Sequence, residues 1–336
     1  MRQESQESEI MSLNLALVGC GRIAQSYLDA IEAVPQCRLR AVVDNREAVA
    51  QSIAEHHGCR WYTDCEAALR ENDLDAAIVC TPPNTHRDLA VFLLDHGVHV
   101  LCEKPLALSS AEALEMAECA RRTGGVLMMG SKFRYVDDVI KAKSIVLSGI
   151  LGEVLLFENV FCAKIDMRQR WNAKPEISGG GVLIDNGSHS IDIARYLLGP
   201  IEKVQAEEGR RIQCPEVEDT CRLYLRTTHG VMGAVDLSWS LSKERDSYID
   251  LFGTEGMLSI GWKASRYRQT EKSPWVQFGA GYDKRAAFAR QLTNFVGVIH
   301  GKEQPLIGLE DAVASVRVIE AAYRSMAENK WVEVMS

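Results

Sequence analysis

Two glycines one residue apart, an aspartate beyond them, a lysine ahead of a proline and a histidine four places after an aspartate are residues whose types and spacing can do chemistry. Gly19-Cys20-Gly21-Arg22-Ile23-Ala24 has the G-x-G-x-x-A form of a turn leading from a strand into a helix. The first glycine permits the tight turn, the second lets a pyrophosphate approach the backbone, and the small Ala24 lets helix and strand pack closely. Amides at the helix start, those of Arg22 and Ile23, are placed to bind the anion. Asp44 ends the next apolar run, 20 residues after Ala24, the interval at which a carboxylate reaches the adenosine ribose hydroxyls. A carboxylate there repels a 2'-phosphate, so the expected cofactor is NAD in preference to NADP. Arg46 is the competing feature, because a guanidinium can bind that phosphate.

Two later segments, Cys80-Thr81-Pro82-Pro83-Asn84-Thr85-His86 and Cys102-Glu103-Lys104-Pro105-Leu106, each follow a short apolar run. Both therefore fall at strand carboxyl ends, where open parallel sheets bind ligands. Further on, Asp185 and His189 are four residues apart, so they share one helix face and can meet if the helix starts early enough. Oxidising a secondary alcohol needs a hydride acceptor and a group to take the hydroxyl proton. A histidine suits that task near neutral pH.

The elements that must position these residues are legible as a change of rhythm. From Leu13 to about Gly130, the runs Leu13–Val18, Leu39–Val43, Ala76–Val79, His99–Leu101 and Val126–Met129 alternate with helical spacing over Glu47–His56, Thr85–His96 and Ser110–Arg122. This predicts parallel strands with crossover helices, with Asn84 and Ser109 as caps. After a helix over Val136–Ser148, longer strand-like runs follow: Glu153–Ala163, Lys203–Arg211, Val217–Thr227, Val231–Ser240 and Ser247–Phe252. Helices are expected over Gly187–Leu198, Ala286–Ile299 and Gly308–Ala327. The fold class is α/β plus α+β: a doubly wound Rossmann sheet, then a domain on a large open, mainly antiparallel sheet. Its expected divisions are a disordered tail over 1–12, a dinucleotide domain over 13–132 and a substrate-binding and oligomerisation domain over 133–336, with the helix over 308–327 packing back on the Rossmann half.

At 336 residues and roughly 150 per domain, the chain holds about two domains. The 38 basic against 46 acidic residues leave a net charge of -8, which gives no basic field for nucleic acid or an anionic membrane surface. No apolar run is long enough to span a bilayer, and the first ten residues lack a secretory pattern. None of the 10 cysteines stands in C-x-x-C spacing, so no metal site is expected, and free thiols point to a cytoplasmic protein.

The Glu103-Lys104-Pro105 segment, the Thr81-Pro82 segment, the glycine turn and Gly179-Gly180-Gly181-Val182-Leu183-Ile184-Asp185-Asn186-Gly187-Ser188-His189 together resemble the glucose-fructose oxidoreductase, inositol dehydrogenase and rhizopine-catabolism (Gfo/Idh/MocA) family. The likeness runs from about Leu13 to Val334. It implies an NAD(P)-dependent oxidoreductase acting on a ring alcohol or ketone of a sugar, sugar derivative or cyclitol such as inositol. Lys104 would then sit between nicotinamide and the reacting alcohol, and Glu103 on the cofactor ribose. Thr81 and Pro82 would pass the nicotinamide, with Asn84 and His86 shaping that wall. His189 is assigned as general base, Lys104 as the cation that positions the hydroxyl and steadies developing alkoxide, and Asp185 as substrate anchor and orienting group; the first two roles are exchangeable. Arg134 and Trp171 are expected at the substrate, each with a structural alternative, an ion pair or core packing. Arg168, Arg170 and Lys174, near Trp171, would suit a phosphorylated or nucleotide-linked sugar. Competing functions are an NAD-dependent glycoside hydrolase without net redox, a non-catalytic dinucleotide-binding regulator and a dehydrogenase of noncarbohydrate alcohols. An uncovered sheet face predicts a homodimer or homotetramer.

Overall fold

The computed structural model describes residues 12–335, so the expected tail lies, except for Ser12, outside the described residues. In the first half, apolar strands buried on both faces alternate with amphipathic helices, as a parallel sheet requires. In chain order these are β1 (Leu13–Val18), α1 (Ala24–Ala33), β2 (Cys37–Val43), α2 (Glu47–His57), β3 (Arg60–Tyr62), α3 (Cys65–Glu71), β4 (Ala76–Val79), α4 (His86–Asp95), β5 (His99–Glu103), α5 (Ser110–Thr123) and β6 (Leu127–Gly130). All five pairings are parallel, in the order β3-β2-β1-β4-β5-β6. The order reverses between β1 and β4, which puts a crevice above their carboxyl ends.

The caps turn out unevenly. Ser109 accepts the Glu112 amide at 3.2 Å, while Glu112 reaches back to the Leu108 amide at 3.1 Å, a reciprocal cap on α5. Asn84 does not cap α4. It lies exposed in a short 3-10 turn, and Thr85, the residue before the helix, uses its hydroxyl on Pro82 O and the Thr81 hydroxyl. The pair β3 and α3 has no clear sequence signal: β3 is three residues with two exposed, and α3 is held by an Asp64 cap.

The second half comprises α6 (Asp137–Leu147), β7 (Val154–Cys162), α7 (Pro175–Ser178), α8 (Val182–Leu198), β8 (Ile201–Glu208), β9 (Thr220–Thr227), β10 (Met232–Ser238), β11 (Ser247–Gly253), β12 (Met257–Gly261), β13 (Ser265–Arg268), β14 (Val276–Gly279), α9 (Lys284–Ile299), α10 (Leu309–Glu328) and β15 (Val332–Glu333). Its sheet has nine strands, ordered β14-β13-β12-β11-β7-β10-β9-β8-β15, and every pair is antiparallel except β7 with β10. One face packs on α8 and α10, burying Leu223, Leu225, Val235 and Leu237. Helix α10 also packs on α5 and β6, and α9 lies against α1, so both closing helices clamp the two sheets' layers together. Helix α8 starts at Val182 rather than Gly187, which brings Asp185 into its first turn.

Candidate active site

The dinucleotide turn is built as the sequence spacing requires. Gly19 has φ +94°, and a Cβ on it would come within 2.7 Å of Thr81 N, so the turn and the β4 loop close on each other only through glycine. Gly21 is different: a Cβ there would meet nothing within 4 Å, leaving room above the backbone. Helix α1 has no side-chain cap and no acidic residue in its first turn. Among the described residues the amides of Gly21, Arg22 and Ile23 have no acceptor. Free amides, a helix positive end and open space together fit a pyrophosphate.

Asp44 is 8% exposed at the end of β2 and accepts the Cys20 amide at 2.8 Å. Arg46 grips the same carboxylate with two nitrogens, at 2.9 and 3.1 Å. Burial pushes the Asp44 carboxyl up, but the hydrogen bonds from Arg46 and Cys20 outweigh it and hold the group below the usual carboxylate range. Asp44 therefore carries its charge, and Arg46 is turned onto it.

Lys104 follows β5 and reaches across to the first turn of α8. Its Nζ donates to Asp185 Oδ1 at 2.6 Å and to Asp185 O at 3.0 Å. Both side chains keep some exposure, 14% and 24%, so the pair faces the crevice. The expected Asp185–His189 contact does not form, although the helix begins early enough. Asp185 orients Lys104 instead. His189, one turn later, is buried, and Nε2 lies 3.4 Å from Lys132 Nζ. Burial, and then the charges of Lys132 and Lys104, hold the imidazole's pKa well below its ordinary value of 6.5, so the ring is neutral. The N-terminus of α8 is fixed from beneath by Glu218, whose Oε1 accepts the Gly181 and Leu183 amides at 3.0 Å each and the Tyr323 hydroxyl at 2.9 Å. Gly181 must be glycine here, because a Cβ would run into Glu218 O.

Several expected residues do other work. Glu103 is buried and accepts the Tyr27 hydroxyl at 2.7 Å and the Lys104 amide at 3.1 Å; it braces the Lys104 loop rather than presenting its carboxylate to a ribose. Gln291 on α9 completes that brace through Tyr27 at 3.0 Å. His86 is wholly buried, with one ring nitrogen 2.9 Å from Pro105 O and the other 2.9 Å from Thr81 O. It ties the two loops together and does not face the crevice. Arg134 is 1% exposed and ion-paired with Asp192 at 2.8 Å and Asp311 at 2.9 Å, so it is structural and not a substrate ligand. Arg168 is spent on Asp166. Trp171 stands 40% exposed in a short 3-10 turn, so it is not a core residue. Thr81 and Pro82 are partly exposed beside the glycine turn, and Asn84 is exposed.

Lys132 and a cluster of rings also stand at the site, outside the motifs the sequence singles out. Phe133 meets the His189 edge at 5.0 Å and stacks on Tyr282 at 5.1 Å. Phe161 and Trp262 join them around Tyr248, making an aromatic wall beside Lys132 and His189. These rings come from strands and loops scattered over the second half, so no local spacing announces them.

Comparison with known proteins places the two halves of the chain in one family. Residues 13–131 match the profile described as "Oxidoreductase family, NAD-binding Rossmann fold" and residues 139–259 match the "GFO/IDH/MocA C-terminal domain". The chain belongs to the Gfo/Idh/MocA oxidoreductase family. Among its relatives, "Inositol 2-dehydrogenase 2" of Saccharopolyspora erythraea is 29% identical over 327 residues, 94% of each chain. A solved structure, "GenD2 from gentamicin A biosynthesis in complex with NAD", superposes with a TM-score of 0.85 at 27% identity, covering 97% of each chain. "Levoglucosan dehydrogenase, complex with NADH and levoglucosan" superposes with a TM-score of 0.90 over 97% of this chain and 100% of that one, and at 20% identity it speaks for the fold alone. Among the described residues, no helix is long and apolar enough to cross a membrane.

Proposed function

We propose that the protein is an NAD-dependent dehydrogenase that moves a hydride between nicotinamide and a ring secondary alcohol or ketone of a sugar or cyclitol. The observation that carries this is the Lys104–Asp185 pair at 2.6 Å, with neutral His189 one turn along α8, at the carboxyl end of the sheet whose glycine turn fits a pyrophosphate. A sensor of NAD needs the turn but not a proton-transfer set. NAD bound there supplies the hydride acceptor. The remaining work falls to the chain: Lys104 Nζ, its charge held in place by Asp185, donates a hydrogen bond to the substrate oxygen and stabilises the developing alkoxide, and His189 Nε2 takes the hydroxyl proton. NAD is favoured over NADP because Asp44 keeps its negative charge, while Arg46 is already committed to it. The names of the relatives, an inositol dehydrogenase among them, support the substrate class.

The open face of the second sheet supports a homodimer or homotetramer. Phe252, Leu156 and Met232 are register neighbours across three strands, with Leu156 43% and Met232 56% exposed. Such a row costs less when a second copy covers it. The 10 free thiols suit a reducing, cytoplasmic setting.

The test is to follow reduced cofactor when the protein meets NAD or NADP and a panel of sugars, cyclitols and glycosides. Reduction of NAD in preference to NADP, abolished in Lys104→Ala, is the expected result. Release of aglycone without net reduction would contradict it in favour of a hydrolase.

A further inference from the structure

Lys132 opens the 3-10 turn after β6 with its ammonium at the site, and among the described residues it has no salt-bridge partner. Its Nζ lies 3.4 Å from His189 Nε2 and 4.9 Å from the Phe133 ring centre, and no carboxylate stands within salt-bridge distance of it among the described residues. The acidic groups around it are occupied. Asp185 Oδ1 is held by Lys104, and the Glu103 oxygens are taken by the Tyr27 hydroxyl and the Lys104 amide. Burial, then the like charges of Lys104 and Lys284, outweigh the opposing charges of Glu103 and Asp185 and bring the Lys132 pKa down to about 8. It is still mainly an ammonium at neutral pH. In a chain with a net charge of -8, this is a local excess of positive charge at the reacting centre. A half-buried cation with no salt-bridge partner is better placed beside an anion.

We propose, building on the dehydrogenase reading, that the substrate is a sugar acid whose carboxylate is received by Lys132 while Lys104 and His189 address the hydroxyl to be oxidised. A carboxylate fits better than a phosphoryl group. Phosphate is met by a guanidinium fork or a row of backbone amides, whereas Lys132 presents one ammonium over Phe133, whose ring lies against Phe161, Trp262 and Tyr282 and so brings no further donor beside it.

The experiment compares D-glucuronate and D-galacturonate with D-glucose, D-galactose and D-glucose 6-phosphate, by calorimetric binding to the protein–NADH complex and by kcat/KM with NAD. The expected result is a preference for a uronate over its neutral parent of about 30-fold or more, the range seen when a buried charge pair is gained or lost. Lys132→Met should cost the uronate at least about tenfold more than the neutral sugar, and Lys132→Arg should keep the preference. Equal treatment of acid and neutral sugar, stronger binding of the phosphate, or equal losses in Lys132→Met would overturn the proposal. The two readings fail separately: uronate binding that depends on Lys132 but yields no NADH removes the dehydrogenase, while turnover of neutral sugars without acid preference removes only the anion site.

Discussion

Lys104 and His189 stand in opposite electrostatic surroundings. Lys104 is ion-paired with the Asp185 carboxylate, whereas His189 is buried beside Lys132 and so stays neutral. Replacing Lys104 by Met should lower kcat by about 10²- to 10³-fold, the usual worth of a donor aimed at a developing oxyanion, while leaving NADH binding measurable by fluorescence. His189 adds a pH signature to stability. The folded ring stays neutral well below pH 6.5, whereas the unfolded chain takes up a proton there, so the unfolded state binds more protons as pH falls and stability drops. His189→Asn should flatten that acid-side loss, by at most about 1.4 kcal/mol per pH unit, in urea midpoints measured from pH 7.5 to pH 5. Part of the slope will remain, because burial lowers the His86 pKa as well.

Individual elements show where sequence pattern suffices and where it does not. The glycine turn, Lys104 and the start of α8 are legible because each is a contiguous stretch whose backbone demands particular residues. Lys132 and Arg134 illustrate the limit. They lie two residues apart in one 3-10 turn over Lys132–Tyr135, which sends Arg134 inward to Asp192 and Lys132 to the site, and nothing in the local spacing says which goes where. Likewise β12 to β15 are short strands, recognisable only once their partners are in place. Arg134 joins the loop after β6 to α8 through Asp192 and to α10 through Asp311. Arg134→Met leaves Asp192 buried without its cation, so a loss of about 3–5 kcal/mol is expected in denaturant unfolding. A folded variant with unchanged stability and a raised KM would instead return Arg134 to the substrate.

At the scale of the whole molecule, the crevice exists because α9 and α10 hold the nine-stranded sheet's domain against the Rossmann layers, with Tyr27, Glu103 and Gln291 hydrogen-bonded across the join. The two-part architecture was readable from the change in strand rhythm, but the reach of α9 to α1 was not, since it depends on packing between distant segments. The apolar row on the open sheet face predicts self-association. Sedimentation should find a dimer or tetramer, and Met232→Glu should shift it towards the monomer without unfolding it, because Met232 is exposed in the single chain. The proposed function rests on direct hydride transfer at the Lys104–Asp185–His189 site. A sugar or cyclitol substrate deuterated at the reacting ring carbon should deliver its deuterium to the nicotinamide, read by mass spectrometry of the NADH formed, and Lys104→Met should suppress the transfer. NADH carrying no deuterium, or product formed with no reduced cofactor, would contradict the account.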